Sequence, residues 1–162
     1  LHRRRHSFPT RRSSDLVAAV LLAAATLAGT QPGEGGLYIA GAGFSFDAAA
    51  QRALAQNTAG QRFFLLSLPP EASALRRNAL PAQAQWRERV LAANGVLLVC
   101  QRDLDLGRID AATLVSQVVP VRGWPPRGSP AWPAGQRTFA GEDRASLPAA
   151  NEALRRLRST CS

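Results

Sequence analysis

The chain has 162 residues, with twenty basic side chains against eleven acidic ones and a formal charge of +9. Every basic residue is arginine, the two histidines are His2 and His6, and there are two cysteines and no methionine. Two cysteines are too few for a disulfide scaffold, and the absence of histidine beyond His6 excludes a Ser-His-Asp triad, a Cys-His pair and a histidine metal site from the body of the chain. Acidic and basic residues are interspersed and no basic block alternates with aromatics, so nucleic acid is not an expected partner.

In chain order, residues 1–16 come first. The run His6-Ser7-Phe8-Pro9-Thr10-Arg11-Arg12-Ser13-Ser14-Asp15-Leu16 resembles, residue for residue, the conceptual translation of a short-read sequencing adapter. On that reading residues 1–16 are an artefact joined to a cut reading frame, and the opposing reading is a basic arm for nucleic acid or anionic lipid. Without them fifteen arginines face ten carboxylates, a charge of +5 with no histidine left. Arginine without lysine, together with abundant alanine, is also what a GC-rich genome imposes, so the arginine excess says little about phosphate binding.

Val17 to Ala28 is an uncharged apolar run of the length of a signal-peptide h-region, too short to span a bilayer. Thr26-Leu27-Ala28 carries small residues where signal peptidase reads them, which places cleavage after Ala28. Thr30 stands where a lipoprotein would need its cysteine. The expectation is an exported, periplasmic mature domain of about 134 residues with no membrane segment; the opposing reading is an uncleaved N-terminal anchor.

Residues 29–36 are rich in glycine and read as a flexible lead-in. Leu37-Tyr38-Ile39-Ala40 is a short buried strand, and Gly41-Ala42-Gly43 turns the chain. Ser45 or Asp47 caps a helix running to about Asn57 that buries Phe46, Ala50, Ala53 and Leu54. Phe63 to Leu66 is a second strand, stopped by Pro69-Pro70. A helix over 82–93 opens at Pro81 and closes at Asn94-Gly95. Val96 to Cys100 is the third strand, and Asp110 caps a short helix through Val115. Val118 to Val121 is a fourth strand placed near an edge by Pro120. Residues 123–136 form an irregular loop bearing Trp124 and Trp132, read as covering an open edge of the core in preference to lining a partner groove. A helix from Pro148 to Arg158, capped by Ser146, buries Leu147, Ala150, Leu154 and Leu157.

This alternation predicts a single three-layer α/β domain over 37–162, with a mainly parallel sheet of four to five strands and helices on both faces. Cys100 ends a strand, where open α/β sheets gather their ligand loops. It is either a functional thiol, with Arg102 and Arg108 as candidate thiolate stabilisers, or an inert buried cysteine, or the disulfide partner of Cys161. Gly41-Ala42-Gly43 fails as a dinucleotide fingerprint, because Phe46 occupies the third glycine position and no acidic residue ends the second strand. Asp103, Asp105 and Asp110 lack the glycine and glutamate of a calcium loop, and read as loop solvation and a helix cap. No cofactor or metal site is expected, and no paired carboxylates stand placed for acid–base work.

The stretch from Ala93 to Leu104, with Ile109-Asp110, Leu114 and Val118-Val119-Pro120 after it, resembles the DsrE/DsrF-like sulfur-relay family, best over residues 85–122. The resemblance rests on a glycine-valine strand ending in cysteine, Leu104 four residues on, an Ile-Asp step and a valine-rich strand ending in proline. Arg102-Asp103 and Ser67-Leu68-Pro69-Pro70 depart from the residues usual in that family. The resemblance implies a thiol redox or sulfur-carrier function in which Cys100 holds sulfur as a persulfide. Its partner would be a sulfur-donor or acceptor protein, and the family's habit implies a homo-oligomer. The alternative is a non-catalytic periplasmic binding or assembly module whose cysteine is structural.

Overall fold

A computed structural model describes residues 34–125 and 138–162. The adapter-like and signal segments, the lead-in through Pro32-Gly33, and Trp132 lie outside the described residues. Four strands, β1 (Leu37–Ala40), β2 (Phe63–Ser67), β3 (Gly95–Cys100) and β4 (Val119–Val121), form one sheet in the order β1-β2-β3-β4, every neighbouring pair parallel. Helices α1 (Phe46–Gln56) and α2 (Pro81–Ala92) make the first two crossovers, α3 (Gln101–Asp105) follows β3 directly, and α4 (Asn151–Thr160) closes the chain. The fold is the expected α/β domain, with four strands among the described residues.

Successive strand residues point to opposite faces, so each strand feeds two cores. Phe63, Leu65, Leu97 and Val99 pack on Phe46, Ala50 and Ala53 of α1 and Val90 of α2. Phe64, Leu66, Leu98 and Cys100 face the other way, onto Leu154 and Leu157 of α4 and onto Cys161. Each new strand is added on the same side of the last. Crossovers of constant hand then place α1 and α2 on one face, leaving α4 to cover the other.

Local chemistry sets most boundaries as expected. The Ser45 hydroxyl accepts from the Ala48 amide to cap α1, and Asn57 closes that helix. Asn94 takes a left-handed conformation (φ 72°) just after α2. β4 is an edge strand, with the exposed Pro120 beside Val99.

Three boundaries differ. The helix expected from Asp110 to Val115 is one 3₁₀ turn, Ala111–Thr113, capped by the Asp110 carboxylate. Its continuation is pulled into extended pairing, because the Arg77 amide donates to the Thr113 carbonyl and the Val115 amide to that of Leu75. The residues after Cys100 form α3 where a loop is expected, and the Gln101 side chain donates to Asp105 four residues on. The last helix begins at Asn151 and leaves Ala150 exposed, since Ser146 is engaged by the Asp143 carboxylate in a separate 3₁₀ turn, Arg144–Ser146. Its N-terminus is served instead by Glu34, whose carboxylate accepts from the Ala149 and Ala150 amides at 2.7–3.0 Å. No helix among the described residues is long and apolar enough to cross a membrane.

Candidate functional site

β3 carries Cys100 to the carboxyl edge of the sheet, on the face covered by α4. Cys161, the residue that ends α4, meets it there in a disulfide with Cα atoms 5.1 Å apart. Both are buried, Cys100 at 0% and Cys161 at 2% exposure. The backbones approach so closely that a Cβ on Gly123, just after β4, would lie 2.3 Å from the Cys161 carbonyl carbon. Of the three readings open for Cys100, the structure takes the bridge to Cys161, with both cysteines oxidised and no free thiol.

Arg102 and Arg108, the candidate thiolate stabilisers, are drawn to a different partner. Arg102 Nε and Arg108 Nη1 both lie 3.4 Å from Oδ1 of Asp103, whose side chain is buried. Arg102 also donates to the Ser162 carbonyl. The reading of Asp103 as loop solvation is therefore corrected. The short α3 turns this residue inward, and its backbone carbonyl receives the Arg108 and Ile109 amides that close the turn. Its Oδ2 has no hydrogen-bond partner among the described residues, and nor does the buried hydroxyl of Ser67 at the end of β2.

Beside the disulfide lies a second buried charge pair. Arg158 of α4 is fully buried and donates through Nη1 and Nη2 to the two carboxylate oxygens of Glu142, each at 2.7 Å, and through Nη1 to the Arg122 carbonyl. Burial pushes the Glu142 carboxyl upward. Hydrogen bonds from Arg158 and the Phe139 amide, with the charge of Arg158, outweigh it and hold Glu142 below its usual range. The guanidinium also stacks 4.9 Å from the Phe139 ring centroid. Trp124 folds onto the same end of α4, its backbone amide donating to the Ser162 hydroxyl and its indole to that of Ser159.

No motif in the sequence marks Glu142 or Arg158 as a site. Arg158 follows Leu154 by four residues and so shares its buried face, which is the signal that points to it. Glu142 sits in a loop without periodicity and gives none.

A shallow cleft of about 450 Å³ opens over Cys161, walled by Arg102, Arg122 and Trp124. The strand order never reverses, so the four strands offer no switch-point crevice of the kind that holds ligands in doubly wound sheets. Among the described residues no group of three His, Cys, Asp or Glu side chains is placed to hold a metal ion. Gly41, Ala42 and Gly43 all have positive φ, and the Gly41 and Phe44 backbones exchange two hydrogen bonds, making a tight reversal and not a phosphate cradle. No family model matches the chain, and no curated protein or solved structure is significantly similar to it.

Proposed function

We propose that this chain is a non-catalytic binding or assembly module of an oxidising, exported compartment, in which Cys100 and Cys161 are a structural staple. The observation that carries this reading is the buried disulfide joining the sheet to the helix that closes its second face. Disulfides persist outside reducing compartments, which accords with the apolar export-like run at 17–28 and with a periplasmic location. The arginines that would activate a thiol are engaged with Asp103.

Native alkylation of the full chain, followed by intact mass, tests it. No label is expected without denaturant, even after mild reductant and polysulfide. Label or added sulfur at Cys100 in the folded protein would overturn the structural reading.

One observation favours a second reading, the DsrE-like thiol redox or sulfur-carrier function. Cys161 lines the cleft beside Arg102 and Arg122. An incoming thiolate from a donor protein could attack the Cys161 sulfur there, forming a mixed disulfide and releasing Cys100 as a thiolate near the Arg102 guanidinium. That thiolate would then take the outer sulfur of a donor's persulfide, Cys100 becoming the persulfide and the donor leaving as its own thiolate. The same alkylation experiment separates the two.

A further inference from the structure

Among the described residues β1 is the free edge of the sheet, opposite β4. The carbonyls of Gly36 and Ala40 accept from the Phe64 and Leu68 amides, so Gly36, Tyr38 and Ala40 turn their backbone groups toward β2. By the alternation of a parallel strand, Leu37 and Ile39 turn theirs outward. The Leu37 carbonyl accepts from Arg156 at 3.2 Å, and Gly41 is closed off by its exchange with Phe44. The Leu37 amide and both backbone groups of Ile39 are left facing outward, with no partner among the described residues.

A groove of about 490 Å³ runs along this edge, lined by Tyr38, Ile39, Phe44, Arg52, Gln56 and Arg156 among others, with no carboxylate in its wall. Phe44 is 50% exposed, and the Arg52 guanidinium lies 5.8 Å from its ring centroid. Neither Arg52 nor Arg156 makes an ion pair among the described residues. Two carboxylates that pack against α1 and α4 are committed to backbone amides, Glu34 to the start of α4 and Glu71 to Phe46 at the start of α1. Arg52 belongs to α1 and Arg156 to α4, which cover opposite faces of the sheet. The edge therefore carries one arginine above its plane and one below, neither of them in an ion pair among the described residues.

We infer that the β1 edge is a docking site for an extended, acidic segment of a partner protein, which adds to the sheet as a fifth strand beyond β1. This deepens the binding-module reading and rests on it. Backbone hydrogen bonds to Ile39 and Leu37 supply the pairing, and Phe44 gives apolar contact. Side chains of an added strand alternate between faces, so two carboxylates at adjacent positions reach Arg52 and Arg156 separately. A second copy of this chain is a poor occupant, because pairing β1 with β1 brings the arginines of two copies together.

The probe is a fluorescein-labelled ten-residue peptide of alternating valine and threonine with a central Glu-Asp pair, titrated into the full chain by anisotropy and by amide chemical shifts. Saturable binding is expected, with the largest shifts at Leu37 and Ile39. Arg52→Glu with Arg156→Glu should weaken it at least tenfold and transfer preference to a peptide with a central Lys-Lys pair. Ile39→Pro, which removes an outward amide that the sheet itself does not use, should abolish it. Should that variant fail to melt cooperatively, the charge reversal decides alone. Absence of saturable binding, shifts elsewhere, undiminished binding to the charge-reversed variant, or a wild-type dimer paired through β1 would each overturn the site. Failure here while the disulfide resists alkylation removes the β1 site and leaves the module reading standing; a labelled Cys100 removes the module reading itself.

Discussion

The two faces of the sheet are closed by different means. On one, α1 and α2 arrive as successive crossovers between adjacent strands, and closure is apolar: Phe46, Ala50, Ala53 and Val90 against Phe63, Leu65, Leu97 and Val99. On the other, a single ten-residue helix comes from the far end of the chain, and its only buried apolar side chains are Leu154 and Leu157, with Ala153 partly buried beside them. It is also tied by a disulfide, a buried Arg158–Glu142 pair and a carboxylate at its N-terminus. Local connections make the first face cheap in loop closure. The second face must hold a distant segment, and a two-leucine stripe is a small hydrophobic contribution for that.

The largest single effect falls on the apolar face. Phe63→Ala removes a fully buried ring between α1 and the sheet and should cost about 4 kcal/mol, lowering the denaturant midpoint of the whole domain. A loss under about 1 kcal/mol would mean that this face is not the one on which folding depends.

Arg158→Met should cost about 3 kcal/mol, because it strands Glu142 beside a buried hydrocarbon, and Arg158→Met with Glu142→Leu should recover most of that loss. The same pair sets a pH dependence. Glu142 is held below its unfolded pKa, so its contribution is fully present above that unfolded value and is lost as pH falls through the lower, folded one. Melting followed from pH 7 into the acid range should show this decline, and Glu142→Gln should flatten it. An identical slope in the variant would remove Glu142 from the account.

Most of the fold is legible in the sequence because its elements follow local rules. The Gly-bounded run Leu37–Ala40, the Ser45 cap and the Asn94-Gly95 stop all act within a few residues of themselves. What is not legible arises from long-range partners. The Asp110 helix shrinks to a turn because Leu75 and Arg77 compete for its backbone, and the N-terminus of α4 is served by Glu34 from more than a hundred residues away. The candidate site divides in the same way. The strand-end position of Cys100 is a local fact, whereas its bond to Cys161 and the diversion of Arg102 and Arg108 to Asp103 depend on how α3 and α4 pack.

Replacing both Cys100 and Cys161 with alanine frees a loop of 61 residues and should cost about 3 kcal/mol, since a cross-link of that span chiefly restricts the unfolded chain. Hydrogen exchange gives the sharper test of the comparison. In the variant, amides of α4 should exchange faster while those of β2 and β3 keep the protection of global unfolding. Uniform loss across the sheet would show that the two faces open together.

The smallest effect concerns the other end of α4. Glu34 places a carboxylate on the Ala149 and Ala150 amides, where the first turn presents unpaired donors and the positive end of the helix dipole. Glu34→Ala should therefore cost about 1 kcal/mol, a melting shift of about 4 °C for a domain of this size. The charge part is screened by salt and the hydrogen-bond part is not, so Glu34→Gln should fall between the two and lose its difference from wild type at 1 M salt. Because the disulfide holds the opposite end of the same helix, removing both ties should cost more than the sum of the two single losses. Simple additivity would mean that each end of α4 is anchored to the sheet independently.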